Sequence, residues 1–233
     1  MRSSRFRLLK SIVAQSKVFG RLRSELLEEI VGISDVVSVK KGDYLFREGD
    51  CSNGFYIIHQ GAIRLHKISA EGSQQILKIF KDRESFGEAT VVSLGCYPAN
   101  ACAECPTTLA RIDKLGIQRL ARSSEAIKDC LSSAIVQHLG HLVSHLEARS
   151  FLSPESRLAR WILDEGNPVE GSNPWSFEIR TPKQSVADEL DMASETFSRK
   201  LRSLREKGLI SVSKKRIDVL DPEGLRKVAD DER

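Results

Sequence analysis

The sequence predicts an α+β chain: N-terminal helices, a small β-roll, one long helix, and a C-terminal winged helix-turn-helix. Three observations carry that prediction. From Val36 to about Ile112, short apolar runs alternate with glycine-containing turns. Residues 124–151 hold one apolar seam at helical spacing with no Gly-Pro punctuation. After Ser153, two short helical patterns joined by a three-residue turn precede a concentrated run of positive charge.

Residues 1–30 read as helical, because Leu8, Leu9, Ile12 and Val13, then Leu22, Leu26, Leu27 and Ile30, recur at three- and four-residue intervals. The roll strands are Tyr44-Leu45-Phe46, Phe55-Tyr56-Ile57-Ile58, Ala62-Ile63-Arg64-Leu65 and Ile76-Leu77-Lys78-Ile79. The turn signals between them are Gly42-Asp43, Gly49-Asp50, Asn53-Gly54, Gly61 and Gly72, since tight turns need positive φ at little steric cost. In the long helix, Ile127, Leu131, Ile135, Leu139, Leu142 and Leu146 step by four, four, four, three and four, close to coiled-coil spacing, with Gly140 off the seam. Such a stripe marks a homodimer axis, or packs on its own roll, or does both. Ser153 and Pro154 then start a new helix as N-cap and first helical residue. A loop follows from Gly166 to Pro174. The expected organisation is residues 1–123 as helices and roll, 124–152 as dimerisation helix, and 153–233 as winged helix-turn-helix.

Composition narrows the function classes. The chain has 233 residues, 40% hydrophobic and 29% charged, which excludes a disordered protein, a collagen-like rod and a disulfide-stapled miniature. No apolar run approaches the roughly 18–20 residues of a membrane-spanning helix. The basic stretch Met1 to Lys10 is not followed by a signal-peptide core, so the expected location is the cytoplasm, without a membrane partner. Five cysteines make an odd set with no framework spacing, as expected of free thiols in a reducing compartment. Net charge is only +4, but Thr196 to Ile217 holds eight cations against one anion, Glu206. That is the footprint of a surface that meets phosphates.

The helix-turn-helix supplies the chemistry. Lys183 to Leu190 forms its first helix, with Val186, Ala187 and Leu190 facing inward. Asp191-Met192-Ala193 is the turn, and Ser194 is the expected N-cap of a second helix, Glu195 to Lys207, ended by Gly208. Phe197, Leu201 and Leu204 bury one face, leaving Glu195, Ser198, Arg199 and Arg202 on the other. Arginine can donate two hydrogen bonds to guanine, glutamate can accept one from cytosine, and serine can serve a base or a phosphate. Lys200, Arg202 and Arg205 are the expected phosphate contacts. Leu209 to Val212 and Ile217 to Val219 read as a hairpin wing, with Ser213, Lys214, Lys215 and Arg216 at its turn.

These segments, taken in order, resemble the cyclic-AMP receptor protein / fumarate-nitrate reductase regulator (CRP/FNR) family of bacterial transcription factors. The sensor signatures are Lys41-Gly42-Asp43, Glu48-Gly49-Asp50, Phe55-Tyr56-Ile57-Ile58, Gly61 and Phe86-Gly87-Glu88. The DNA-binding signatures are Ser185-Val186-Ala187, Glu195-Thr196-Phe197-Ser198-Arg199 and Leu204-x-x-x-Gly208-Leu209-Ile210. The resemblance implies a cyclic-nucleotide-binding-like roll, a homodimer, double-stranded DNA and RNA polymerase as partners, and base readout by Glu195, Ser198 and Arg199 on a TTGAT-like palindrome. Asp191 stands where the family has a turn glycine, a mild departure because Asp tolerates the left-handed region.

The signal is a separate question. Nucleotide-binding members carry an arginine and a hydroxyl after Phe-Gly-Glu, whereas this chain has Tyr97-Pro98-Ala99-Asn100-Ala101, so cyclic AMP is not expected. No cysteine precedes Cys51, so the family's N-terminal iron-sulfur cluster is not expected either. What remains is similar to the nitric-oxide- or carbon-monoxide-responsive branch, which implies haem as a possible cofactor. Candidate effector-pocket residues are Phe86, Gly87, Glu88, Pro98, Asn100, His138 and His141. His138, His141 and His145 share one flank of the long helix, as haem ligands or as a solvated coiled-coil flank. His59 and His66 read as ordinary surface residues. Cys102-x-x-Cys105 could be a redox pair, although it lies on a strand running into Pro106. Cys51 and Cys130 read as inert thiols, and no metal site is assigned.

The function expected is therefore a DNA-binding transcriptional regulator and not an enzyme. Thiol-responsive and nucleotide-responsive regulators stay open as alternatives. So do a nucleotide-regulated enzyme module, for which no chain is left, and an architectural DNA binder, which would lack a discrete palindrome.

Overall fold

The structure is a computed structural model describing residues 2–92, 95–166 and 175–231. Two helices open it, α1 (Arg2–Gln15) and α2 (Ser24–Gly32). The periodic positions Leu9, Ile12, Val13, Leu27 and Ile30 are buried, together with Phe19, whose ring stands edge-on to Phe55.

The roll follows as β1 (Ser34–Val39), β2 (Tyr44–Phe46), β3 (Gly54–Gln60), β4 (Ile63–Ile68), β5 (Gln74–Phe80) and β6 (Ser85–Phe86). A short α3 (Glu88–Val92) intervenes before β7 (Asn100–Ala103) and β8 (Thr107–Asp113). Two four-stranded antiparallel sheets result, in the orders β1-β8-β3-β6 and β2-β7-β4-β5. β3 shows why its sequence is a nearly unbroken apolar run. Tyr56 and Ile58 face the roll interior with Phe46, Phe80, Phe86, Tyr97 and Leu109. Phe55 and Ile57 face the other way, onto the helices, so both faces are covered.

Gly54, expected as a turn glycine, instead opens β3. A Cβ there would lie 2.1 Å from the Ile112 carbonyl oxygen of β8, so the position needs glycine for close backbone approach. A helix that the sequence reading did not resolve, α4 (Lys114–Ser123), follows the roll, and Asp113 caps it by accepting from Gly116 N at 2.7 Å.

The long helix is α5 (Glu125–Phe151). Its seam has two parts. Ile127 and Leu131 are buried in the core of the N-terminal unit and Ile135 is half-buried, whereas Leu139, Leu142 and Leu146 are exposed, as is Val143 beside them in sequence. The chain divides into two compact units, 1–140 and 141–233, with the division falling inside this helix at Gly140.

In the second unit come α6 (Pro154–Gly166), β9 (Ser176–Glu178), α7 (Lys183–Glu189), α8 (Ser194–Glu206), β10 (Ile210–Ser213), β11 (Arg216–Val219) and α9 (Pro222–Ala229). Ser153 Oγ accepts from Ser156 N at 3.1 Å, as an N-cap should. Residues 167–174 of the expected Gly166–Pro174 loop lie outside the described residues. The wing hairpin gains a third strand, giving the order β10-β11-β9, and α9 seals the core with Leu225 and Ala229. Among the described residues no helix is long and apolar enough to cross a membrane.

Candidate nucleic-acid interface and sensor site

Helices α7 and α8 bury Val186, Ala187, Leu190, Phe197, Leu201 and Leu204 in one core. Asp191, in the turn between them, has φ +52, the left-handed conformation expected at a family glycine position. The turn is anchored from two directions. Arg149 Nε lies 2.9 Å from the Asp191 carboxylate, and Arg157 Nη2 donates to its carbonyl at 3.1 Å.

Ser194 is not the N-cap. Ala193, extended at φ −67 and ψ 148, holds that place without a side-chain bond, and Ser194 begins α8. Its hydroxyl donates to Gln184 Oε1, so the serine ties the two helices together instead of capping one.

Glu195, Ser198 and Arg199 are all exposed and lie at i, i+3 and i+4, which puts them on one face of α8. The positive run around them is less uniform than its sequence. Lys200, expected on phosphate, reaches Glu155 of α6 at 3.0 Å, and Lys207 reaches the same carboxylate at 2.6 Å. Ser203 donates to it at 2.9 Å. Burial works against the Glu155 charge, but these bonds from Lys207, Lys200 and Ser203 prevail and hold its pKa down at about 2. Arg202 pairs with Glu206 at 2.7 Å, and Arg216 with Asp218 at 2.7 Å. Arg199, Arg205, Lys214 and Lys215 form no ion pair among the described residues. The two lysines occupy the wing turn, where Lys214 has φ +54.

The Glu155 clamp was missed in the sequence. Lys200, Ser203 and Lys207, at i, i+3 and i+7, form a polar stripe that could have flagged it, but nothing local names the partner.

In the first unit, the sensor candidates separate. Phe86 is packed in the roll among Tyr56, Phe80 and Phe46, and Tyr97 stacks on Phe46 at 3.6 Å. Gly87, at φ +93, makes the turn that delivers Glu88 to the start of α3. Asn100 is structural: its side chain accepts from Glu48 N at 3.2 Å and donates to the His66 carbonyl at 3.3 Å. Pro98 is exposed, with its carbonyl taken by Lys67 at 2.9 Å.

Glu88 and His138 do meet. Glu88 is 1% exposed, and His138 Nε2 lies 3.4 Å from its Oε2. Neither carboxylate oxygen makes a hydrogen bond among the described residues. A buried carboxyl group with no protein donor on it can accept from one that arrives. His141 is elsewhere; with His145 it lines a small hollow of about 90 Å³ beside Arg149, Arg157, Arg160 and Asp164. Burial, then the Arg149 charge, lower the His145 pKa.

His66 is a correction: it is fully buried, not on the surface. Strand β4 turns it inward beside Tyr44, with neither ring nitrogen hydrogen-bonded among the described residues. Burial, then the Arg64 charge, lower its pKa.

A cavity of about 670 Å³ lies beside His138, lined by Lys17, Lys78, Glu84, Asp129, Ser133 and Gln137 among others. Haem does not fit this arrangement. Held by the candidate histidines, it would need a ring nitrogen aimed into an apolar slot. Here the lining is charged, Lys78 and Lys17 already pair with Glu84, and His138 Nε2 is turned to Glu88 with its ring edge-on to Phe80.

The cysteines are also regrouped. Cys102 is buried, contacts the Gly42 carbonyl at 3.4 Å, and has its thiol pKa pushed up by burial. Cys51, read as inert, stands opposite Cys96 in an isolated antiparallel bridge. No sequence pattern links those two positions.

Comparison with known proteins agrees with both halves. Residues 36–124 match the cyclic nucleotide-binding domain family, and residues 156–228 match the Crp-like helix-turn-helix domain family. The nitrogen fixation regulation protein FixK of Rhizobium meliloti is 29% identical over 195 residues, covering 82% of this chain and 85% of its own. The transcriptional activator protein Anr of Pseudomonas protegens is 23% identical over 202 residues, covering 84% and 82%. The solved structure of FixK2 from Bradyrhizobium japonicum shares the fold, with TM-score 0.76 at 19% identity over 84% of this chain and 97% of that one. Two family domains in this order, and relatives that span most of the chain, place it in the CRP/FNR family of transcriptional regulators.

Proposed function

We propose that the chain acts as a cytoplasmic homodimer, binds a TTGAT-like palindrome, and regulates transcription through contact with RNA polymerase, with no catalytic activity of its own. The observation that carries this reading is the exposed row Glu195, Ser198 and Arg199 on α8. On that face Arg199 can donate two hydrogen bonds to guanine O6 and N7, Glu195 can accept from cytosine N4, and Ser198 can reach a base or phosphate. Arg205, Lys214 and Lys215 supply sequence-independent attraction to the backbone. The exposed half of the α5 seam, Leu139, Leu142 and Leu146, together with the exposed Val143, is the surface for a second copy.

The signal is one other than cyclic AMP, read in the roll. The stretch Tyr97-Pro98-Ala99-Asn100-Ala101, without an arginine or hydroxyl for a cyclic phosphate, supports the first part, and Glu88 the second, because a buried carboxyl group facing the long helix without hydrogen bonds among the described residues responds to an added donor or to a shift of His138. Such a change would alter the population of dimers whose recognition helices match half-sites about one helical turn apart.

The test is quantitative binding of the full chain to a TTGAT palindrome and to a copy with the half-site guanines replaced. The native chain prefers the first, and Arg199→Ala loses the preference. Equal affinity of the native chain for both duplexes overturns the reading.

A further inference from the structure

We propose that Cys51 and Cys96 form a reversible intramolecular disulfide, an oxidant-reactive site on the roll. The bridge between them is antiparallel, and its framing hydrogen bonds come from their neighbours. Tyr97 N donates to the Asp50 carbonyl at 3.0 Å, and Ser52 N donates to the Gly95 carbonyl at 3.1 Å. That pattern makes Cys51 and Cys96 a non-hydrogen-bonded pair, the closer of the two antiparallel types, with Cα atoms about 4.5 Å apart and side chains on one face. A disulfide accepts Cα separations from about 4.4 to 6.8 Å, so the register needs no backbone movement on the scale of a strand.

Access favours the same pair. Both thiols are exposed, whereas Cys102 is buried and Cys105 and Cys130 are half-buried. Burial also pushes the Cys102 and Cys130 thiols up, which depletes the reactive thiolate.

The oxidant class is a low-molecular-weight disulfide such as glutathione disulfide. One cysteine thiolate attacks a glutathione sulfur, forms a mixed disulfide and expels one glutathione thiolate. The second cysteine thiolate attacks the protein sulfur of that mixed disulfide and expels the other glutathione. Two protein thiols become one disulfide, one glutathione disulfide becomes two thiols, and the two protons pass to the leaving thiolates. The bond closes over a segment that is already knit together. Gly49 N donates to the Tyr97 carbonyl at 2.9 Å, the Tyr97 hydroxyl donates to the Gly54 carbonyl at 2.7 Å, and Ser52 Oγ donates to the Thr90 carbonyl of α3 at 3.4 Å.

The experiment titrates the reduced full-length chain with glutathione disulfide, quenches with acid, alkylates, counts thiols and maps peptides without reduction. Free thiols should fall from five to three, with one crosslinked peptide pair joining positions 51 and 96, and dithiothreitol should restore all five. Cys51→Ser and Cys96→Ser should each abolish the crosslink, and Cys102→Ser should leave it intact. Recovery of Cys51 and Cys96 both alkylated at every oxidant level, or a link joining Cys102 to Cys105, overturns the proposal. The native chain and Cys102→Ser decide the matter even where a Cys51 or Cys96 variant fails to fold. No DNA enters the measurement, so its failure is distinct from failure of the DNA-binding reading.

Discussion

The two units differ in whether their candidate functional groups are exposed or buried. In the unit 141–233, the proposed base readers Glu195, Ser198 and Arg199 are exposed, and the half-buried Glu155 has two lysines and a serine on it. In the unit 1–140, Glu88 and His66 are buried with no hydrogen bond to their side chains among the described residues. A DNA reader must be finished before its ligand comes, since base edges demand pre-set donors. A sensor benefits from groups whose needs are unmet, because a ligand can then make a large difference to the balance of states.

The largest expected effect tests the outward face. Arg199→Ala should cost about 1–3 kcal/mol of discrimination at the half-site guanine, measured by competition between matched and substituted duplexes. Its neighbour Lys200→Ala should leave that discrimination unchanged, because Lys200 is engaged by Glu155. Equal losses for the two variants would erase the distinction between exposed and committed cations.

Glu155→Gln comes next. It removes a charge that three side chains satisfy, and should destabilise the DNA-binding unit by about 1–3 kcal/mol, a figure lowered for the half-exposed Lys207. Both tryptophans, Trp161 and Trp175, lie in that unit, so fluorescence during urea unfolding reports it selectively. The sign with pH follows from a folded pKa of about 2 against an ordinary 4.5. The stabilisation is fully present above pH 4.5 and is lost as pH falls toward 2, and the variant should lack that acid dependence.

Glu88→Leu should do the reverse. Replacing a buried carboxyl that makes no hydrogen bond among the described residues by an apolar side chain of similar size should leave stability unchanged or raise it by up to about 1 kcal/mol, while the response to the signal disappears. All three tyrosines, Tyr44, Tyr56 and Tyr97, lie in the sensor unit, so a near-ultraviolet dichroism transition that the tryptophan fluorescence does not share reports it. A marked loss of stability would mean that Glu88 is as well served as Glu155.

His66→Leu gives a smaller signature, a change of slope. Because the folded pKa is lowered, the unfolded chain takes up the His66 proton first, and sensor stability falls as pH drops below 6.5. The variant should flatten that decline. Haem titration under reducing conditions should give the least effect of all, a broad absorbance without saturation at one haem per chain. A sharp, saturating Soret band would show that the charged cavity beside His138 rearranges.

Much of the fold was legible because its signals repeat over short distances. The α5 seam, the Ser153 cap, the α7–α8 pair, the wing and the left-handed Asp191 all depend on residues within one or two turns of each other. Other features had weak local signals. Helix α4 is short and carries Gly116, β9 is three residues long, and Gly54 has the appearance of a turn although a neighbouring strand dictates it.

The sequence by itself determined the family domains, their order, the outward face of the recognition helix and the concentration of charge around it. Periodicity and capping are properties of a single helix or strand, and they survive in one dimension. Only the tertiary structure decided which charges are spent and which groups meet: Glu155 with Lys200, Glu88 with His138, Cys51 with Cys96, and His66 with the roll interior. Each of those outcomes joins segments far apart in the chain. Their proximity is set by strand register and core packing, for which no local pattern of residues stands as a sign.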